Sequence, residues 1–151
     1  MDKINNTYFP DKKCCEEKQH TWYLIDAKNH KVGRIATEIA RILTGKNKSI
    51  YTPYRNTKNH VIIINSKHVV MSSADEKIYF RNSRRPGGLK KESFNQLKLR
   101  LPNRIIEHAV KGMLPKNKLG RVLFNNFKVY SSNFHPHIAQ TPIEYKLNEI
   151  E

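Results

Sequence analysis

Residues 22–64 read WYLIDAKNHKVGRIATEIARILTGKNKSIYTPYRNTKNHVIII, and the succession of apolar patterns in this stretch decides the fold. Trp22-Tyr23-Leu24-Ile25 is a short apolar run closed by Asp26, as expected of a buried strand. A turn around Lys28-Asn29-His30 follows. Ile35, Ala36, Ile39, Ile42 and Leu43 then recur on one face of a 3.6-residue period, with Arg34, Glu38 and Arg41 opposite. Gly45 stands where a left-handed C-terminal cap belongs. Val61-Ile62-Ile63-Ile64 is aliphatic throughout, the pattern of a strand covered on both faces. Strand, helix and buried strand in this order make a βαβ unit with a parallel sheet.

Working outward, Val69-Val70-Met71 and Ile78-Tyr79-Phe80 read as short strands around the polar turn Ser72-Ser73-Ala74-Asp75. Arg81 to Gly88 reads as a basic loop, and Ser93 to Leu101 as a short helix. Pro102 suits the first turn of a second clear helix, because its missing N–H costs nothing there. That helix has Ile105, Ile106, Ala109, Val110, Met113 and Leu114 on its seam and is stopped by Pro115. Leu119 to Phe127 is a further short helix and Val129-Tyr130 a last strand. The expected organisation is an extended segment at 1–20, one α/β domain at 21–130 and an extended tail at 131–151. At 151 residues the chain has room for one domain.

Charge narrows the function. The chain carries 28 Lys and Arg against 13 Asp and Glu, a formal net charge of +15. The acids crowd the termini, so residues 18–143 hold 24 of the cations and six of the acids. Such a density repels itself unless a polyanion compensates it, and nucleic acid is the leading candidate. An anionic membrane surface is a weaker one. No apolar run approaches the roughly 20 residues of a membrane span. Residues 1–20 match neither a secretory signal nor a transit peptide, so the expectation is that the protein is made in the compartment where it works or that its targeting piece is already absent. The adjacent Cys14-Cys15 pair cannot frame loops and is expected as free thiols in a reducing compartment.

Catalytic and cofactor signatures fail. Thr44-Gly45-Lys46 lacks the rest of a phosphate loop, since Ala40 and Asn47 occupy the places of the first Gly and the Ser/Thr. Gly87-Gly88 has no third glycine. Asp75-Glu76 sit in a turn, and neither His135-Pro136-His137 nor Cys14, Cys15 and His20 reach a full metal-ligand set. No catalytic residue, metal, cofactor or small-molecule substrate is therefore expected. The alternative function is an RNA-processing or RNA-modifying enzyme using the same basic surface, with Asp26 or His108 as residues to test.

Three loops combine cations with aromatics or glycines. Lys46, Lys48, Tyr51, Tyr54 and Arg55 lie in the first. Arg81, Arg84, Arg85, Gly87, Gly88, Lys90 and Lys91 lie in the second, where glycine permits close backbone approach. Lys116, Lys118 and Arg121 lie in the third. Cations neutralise phosphates and release counterions, while Arg planes and Tyr rings stack on unpaired bases.

The chain also resembles the bacterial and organellar "L thirteen" family of large ribosomal subunit proteins. The matching blocks are Trp22-Tyr23-Leu24-Ile25-Asp26-Ala27, Val32-Gly33-Arg34-Ile35-Ala36-Thr37, Leu43-Thr44-Gly45-Lys46, Tyr51-Thr52-Pro53 and Ile64-Asn65. Val110-Lys111-Gly112-Met113-Leu114-Pro115-Lys116 is the most specific. Leu119-Gly120-Arg121, Lys128-Val129-Tyr130, His135-Pro136-His137 and Ala139-Gln140 complete the order, with Pro142. The chain departs from the family at Lys58-Asn59, at Ser72-Ser73-Ala74-Asp75 and at Asn82-Ser83-Arg84. The resemblance implies a three-layer α/β/α fold around a mostly parallel four-stranded sheet, with extended basic loops and terminal segments. It implies a non-catalytic protein that binds large-subunit rRNA, joins early in assembly, supports translation and has ribosomal proteins as neighbours. By position it assigns Arg34, Lys46, Lys48, Tyr51, Gly87, Gly88, Lys111, Lys116, Arg121, His135 and His137 to the RNA side, and Lys128 joins them. Lys, Asn and Ile supply 49 of 151 residues, a usage that fits an A/T-rich genome. A plastid (chloroplast) stroma is the expected setting, with a bacterial cytoplasm the alternative.

Overall fold

The computed structural model describes residues 20–49 and 51–147. Cys14-Cys15 and all of the N-terminal segment except His20 lie outside the described residues. The first strand, β1 (Thr21–Asp26), and the second, β2 (Asn59–Ile64), run parallel in full register from Thr21 opposite Asn59 to Asp26 opposite Ile64. Helix α1 (Val32–Thr44) makes the crossover between them. Its apolar stripe is buried as the period requires: Val32, Ile35, Ala36, Ile39, Ile42 and Leu43 all enter the core. Gly45 ends it at φ 79°, its N–H donating to the Arg41 and Ile42 carbonyls, and Lys46 N–H also donates to Arg41.

Two more strands complete a wholly parallel four-stranded sheet. β5 (Phe127–Val129) lies beside β2, and β6 (Ile143–Glu144) beside β1, giving the order β5-β2-β1-β6. β2 is therefore interior, and Val61, Ile62 and Ile63 are fully buried. Alternation sends Tyr23, Ile25, Val61 and Ile63 to the face that packs into the main core with α1. Trp22, Leu24, His60 and Ile62 point to the opposite face. The fold is α/β, and its parallel sheet and helices fit the expected three-layer α/β/α arrangement.

Between β2 and β5 the chain forms an antiparallel hairpin, β3 (Ile78–Asn82) with β4 (Leu89–Ser93), then helices α2 (Phe94–Arg100), α3 (Asn103–Met113) and α4 (Lys118–Asn125). Ser93 opens α2 with a capping box shared with Gln96. Pro102 precedes α3, which buries Ile105, Ile106 and Val110. Leu114 caps α3 just before Pro115. Asn117 caps α4 by accepting the Gly120 N–H at 2.8 Å.

Several sequence expectations are corrected. Val69–Met71 is not a strand: a 3-10 turn at Ser66–His68 leads into it, and Val70 makes a single bridge, to Lys31. The basic stretch from Arg81 is only partly loop, because Arg81 and Asn82 continue β3 and Leu89–Ser93 is a strand. LKKES has no apolar alternation, so only its backbone pairing reveals it. The short helix ends at Asn125, which leaves Phe127 to open β5 two residues before the expected strand at Val129-Tyr130. Met113 is 46% exposed rather than on the buried seam, since it ends its helix. Ile143–Glu144, within the tail read as extended, joins the sheet through a two-residue pairing too short to leave a pattern.

Candidate nucleic-acid interface

The hairpin gathers the densest charge. Register sets Arg81 opposite Lys90 and Phe80 opposite Lys91, and Arg84 and Arg85 occupy the tip. All five cations are exposed, and none is in an ion pair among the described residues. The tip is tightly turned. Arg84 takes φ 61° and Gly87 φ 71°, Arg84 N–H donates to the Asn82 side chain at 2.8 Å, and Gly88 N–H donates to the Arg85 carbonyl at 2.9 Å. A Cβ on Gly88 would strike the Ser83 hydroxyl, whereas nothing lies within 4 Å of one on Gly87. Gly88 thus serves the turn, and Gly87 leaves open backbone at the tip.

The base of the hairpin forms one wall of a groove of about 420 Å³. Tyr79, Phe80 and Glu92 line it from the hairpin; Arg100 and Leu101 from the end of α2; Arg104, His108 and Lys111 from α3; and Phe124 from α4. Glu92 is held by Arg100 through both carboxylate oxygens at 2.7 and 2.6 Å, and Glu107 pairs with Arg104 at 3.6 Å. Lys111 lies over the Phe124 ring at 5.9 Å, and His108 meets Tyr79 edge-on at 5.5 Å. Burial pushes the Tyr79 hydroxyl pKa up. Arg100 and Arg104 escaped the sequence reading, and His108 entered it only as a residue to test for the alternative enzyme, because each sits on a helix face with no cluster around it in sequence. The one available signal was their position opposite an apolar seam.

The first loop divides into two roles. Lys46 and Tyr54 are exposed, while Tyr51 and Arg55 are half-buried. Lys48 turns inward: its ammonium donates to Asn59 Oδ1 at 2.5 Å and to Thr21 at 3.4 Å. Asn59 is fully buried and its side-chain N–H donates to the Ile42 carbonyl at 2.6 Å. Lys48 therefore ties α1 to the starts of β1 and β2. Arg34 is exposed on α1, and Lys116, Lys118 and Arg121 are exposed around the start of α4.

His135 and His137 do not stand free as a pair. His137 stacks on Trp22 at 5.4 Å and hydrogen-bonds the Tyr130 hydroxyl at 2.8 Å, while the Nδ1 of half-buried His135 has no hydrogen-bond partner among the described residues. His60 covers Trp22 at 4.2 Å and bonds His20 at 2.7 Å. The His60 pKa is lowered, first by burial and then by the charges of His20 and Lys128. Sequence reading missed His20, Trp22 and His60 as a group, since they lie about 40 residues apart. Asp26 is engaged in structure: one oxygen accepts Lys28 N–H and the Asn65 amide, each at 2.9 Å. Among the described residues no group of three or more His, Cys, Asp or Glu is placed to hold a metal, and no helix is long and apolar enough to cross a membrane.

The chain has extensive likeness to known proteins. The large ribosomal subunit protein uL13c of Pyropia yezoensis is 60% identical over 126 residues, covering 82% of this chain and 89% of that one. The large ribosomal subunit protein uL13 of Acaryochloris marina is 52% identical over 141 residues, covering 92% and 91%. Its counterpart in Microcystis aeruginosa is 51% identical over 149 residues, covering 97% of each. A family model described as Ribosomal protein L13 matches residues 20–136, which span three of the four strands of the sheet, the hairpin and every helix described above, leaving out β6. With that match and identities of this size over nearly whole chains, the protein belongs to the ribosomal protein L13 family.

Proposed function

We propose that the chain is a structural constituent of the large ribosomal subunit that binds large-subunit rRNA and supports early subunit assembly and translation. The observation that carries this reading is the hairpin with its five exposed cations and no carboxylate partner among the described residues. Such a group is costly to concentrate on one small domain unless phosphates neutralise it. Family membership supports the same reading and gives no support to a processing or modifying enzyme. One oxygen of the exposed Asp26 accepts from Lys28 and Asn65, a role in holding the turn.

The RNA-facing set is Arg81, Arg84, Arg85, Gly87 and Lys90 at the hairpin, and Lys111, Lys116, Lys118 and Arg121 around α3 and α4. Arg34, Lys46, Tyr51, Tyr54, Arg55 and Lys128 extend it. Lys48, Gly88, His135 and His137 complete the set. Neighbouring ribosomal proteins are the expected protein partners. The setting is a plastid ribosome, with the bacterial cytoplasm as alternative; the high share of Lys, Asn and Ile and the likeness to uL13c of Pyropia yezoensis support the first.

Crosslinking in cells, with sequencing of the attached RNA and sedimentation of the protein, tests the reading. Discrete crosslinks in large-subunit rRNA, with co-sedimentation in that subunit, are expected. Crosslinks spread over transfer or messenger RNA would overturn it.

A further inference from the structure

The β3–β4 hairpin is amphipathic, and its two faces are inverted. By register, Tyr79, Arg81, Lys90 and Glu92 share one face, while Ile78, Phe80, Leu89 and Lys91 share the other. The first face is turned to the helices, since Tyr79 meets His108 and Glu92 is held by Arg100. The second points away from them, and Phe80 takes that direction although it borders the groove. A sheet with one covered face ordinarily turns its apolar side chains inward and its polar ones to water. Here the charged set lies inward and the apolar set outward. Ile78 is 48% exposed, Phe80 61% and Leu89 54%. Phe80 stands next to Ile78 along its strand and diagonal to Leu89, so the three form one patch.

The patch has a definite chemistry. Of the outward set only Lys91 is charged, and it has no carboxylate partner among the described residues. RNA is the poorer match. Ile78 and Leu89 are aliphatic and offer bases no flat face, and the ring of Phe80 already carries the Lys91 ammonium at 5.9 Å. Other apolar side chains cover such a patch best, as at the centre of a protein interface. Three side chains fall short of the roughly 1,000 Å² that a free-standing complex buries. The contact therefore belongs inside an assembly that holds both chains in place.

We propose that the outer face of the hairpin docks a second protein, which sets apolar side chains on Ile78, Phe80 and Leu89 and a carboxylate beside Lys91. The proposal rests on the ribosomal reading above, which makes that protein a neighbour in the large subunit. The hairpin then has two sides, with phosphates at its tip and along Arg81 and Lys90, and protein on its outer face.

The test uses large subunits isolated from cells that carry the full chain. Carbodiimide coupling of native subunits, read by mass spectrometry, is expected to join Lys91 to an Asp or Glu of one other protein. A benzophenone-bearing phenylalanine analogue at position 80 should give one discrete protein adduct on illumination. Leu89→Ser should reduce that adduct about fivefold and leave the thermal midpoint of the free protein unchanged, with Leu89→Met restoring it. Coupling of Lys91 only to carboxylates of this chain, or no coupling at all, would overturn the proposal. So would an rRNA adduct at position 80, or an undiminished adduct in Leu89→Ser. In each of these cases the chain is still found in the subunit, and the ribosomal reading stands. Absence of the chain from the large subunit would remove both.

Discussion

Lys48 donates from its ammonium to the side-chain oxygen of the fully buried Asn59 at 2.5 Å, closing a chain of bonds that continues to the Ile42 carbonyl at the end of α1. A cation that sequence placed among RNA contacts thus joins the crossover helix to the sheet. Lys48→Met should lower stability by about 1–2 kcal/mol, because a hydrogen bond to a charged group is lost and the Asn59 oxygen is left dry. The thermal midpoint would fall by roughly 5 °C. An unchanged midpoint with weakened RNA binding would return Lys48 to the RNA side.

Trp22 lies between His60 and His137, and His60 is disfavoured in its charged form by burial and by His20 and Lys128. Its folded pKa is lower than its unfolded value near 6.5, so the unfolded chain binds more protons as pH falls through that value. The stability it contributes is present above about 6.5 and is lost as pH drops toward the folded pKa. The thermal midpoint should rise by a few degrees between about pH 5.5 and about pH 7.5. His60→Phe, which keeps a ring on Trp22, should flatten that rise. An equal rise in the variant would assign it to other groups.

Two glycines in successive helices should respond in opposite ways. A Cβ on Gly120 would fall on the Pro115 carbonyl oxygen, whereas nothing lies within 4 Å of one on Gly112. Gly120→Ala should destabilise by about 2 kcal/mol or more, since backbone must move. Gly112→Ala should stabilise the isolated protein by about 0.5 kcal/mol through helix propensity. Thermal melts of both variants decide this. A destabilised Gly112→Ala would show that the last turn of α3 is not the regular helix described here.

Replacing Arg84 and Arg85 together by Glu should leave the fold intact, because both are exposed and have no carboxylate partner among the described residues. The midpoint should shift by no more than the equivalent of about 0.5 kcal/mol. Binding to large-subunit rRNA should weaken at every salt concentration, with the salt slope reduced by about two. Unfolding of the double variant would make the tip structural.

The βαβ unit, the two long helices and the excess of charge were legible because each is written locally. Ile35 to Leu43 repeats at 3.6 residues, Val61 to Ile64 is β-branched and aliphatic, and Pro86-Gly87-Gly88 among arginines marks an exposed turn whatever surrounds it. The same local signals carried the family resemblance. Tertiary structure alone decided what depends on distant partners. Leu89–Ser93 became a strand because β3 pairs with it, and Ile143–Glu144 because β1 leaves an edge open to it. Folding turned Lys48 inward to a buried amide, stacked His60 and His137 on Trp22, and closed a groove from residues 79 to 124. Composition and periodicity record what a segment must bury; they do not record which segment, tens of residues away, will meet it.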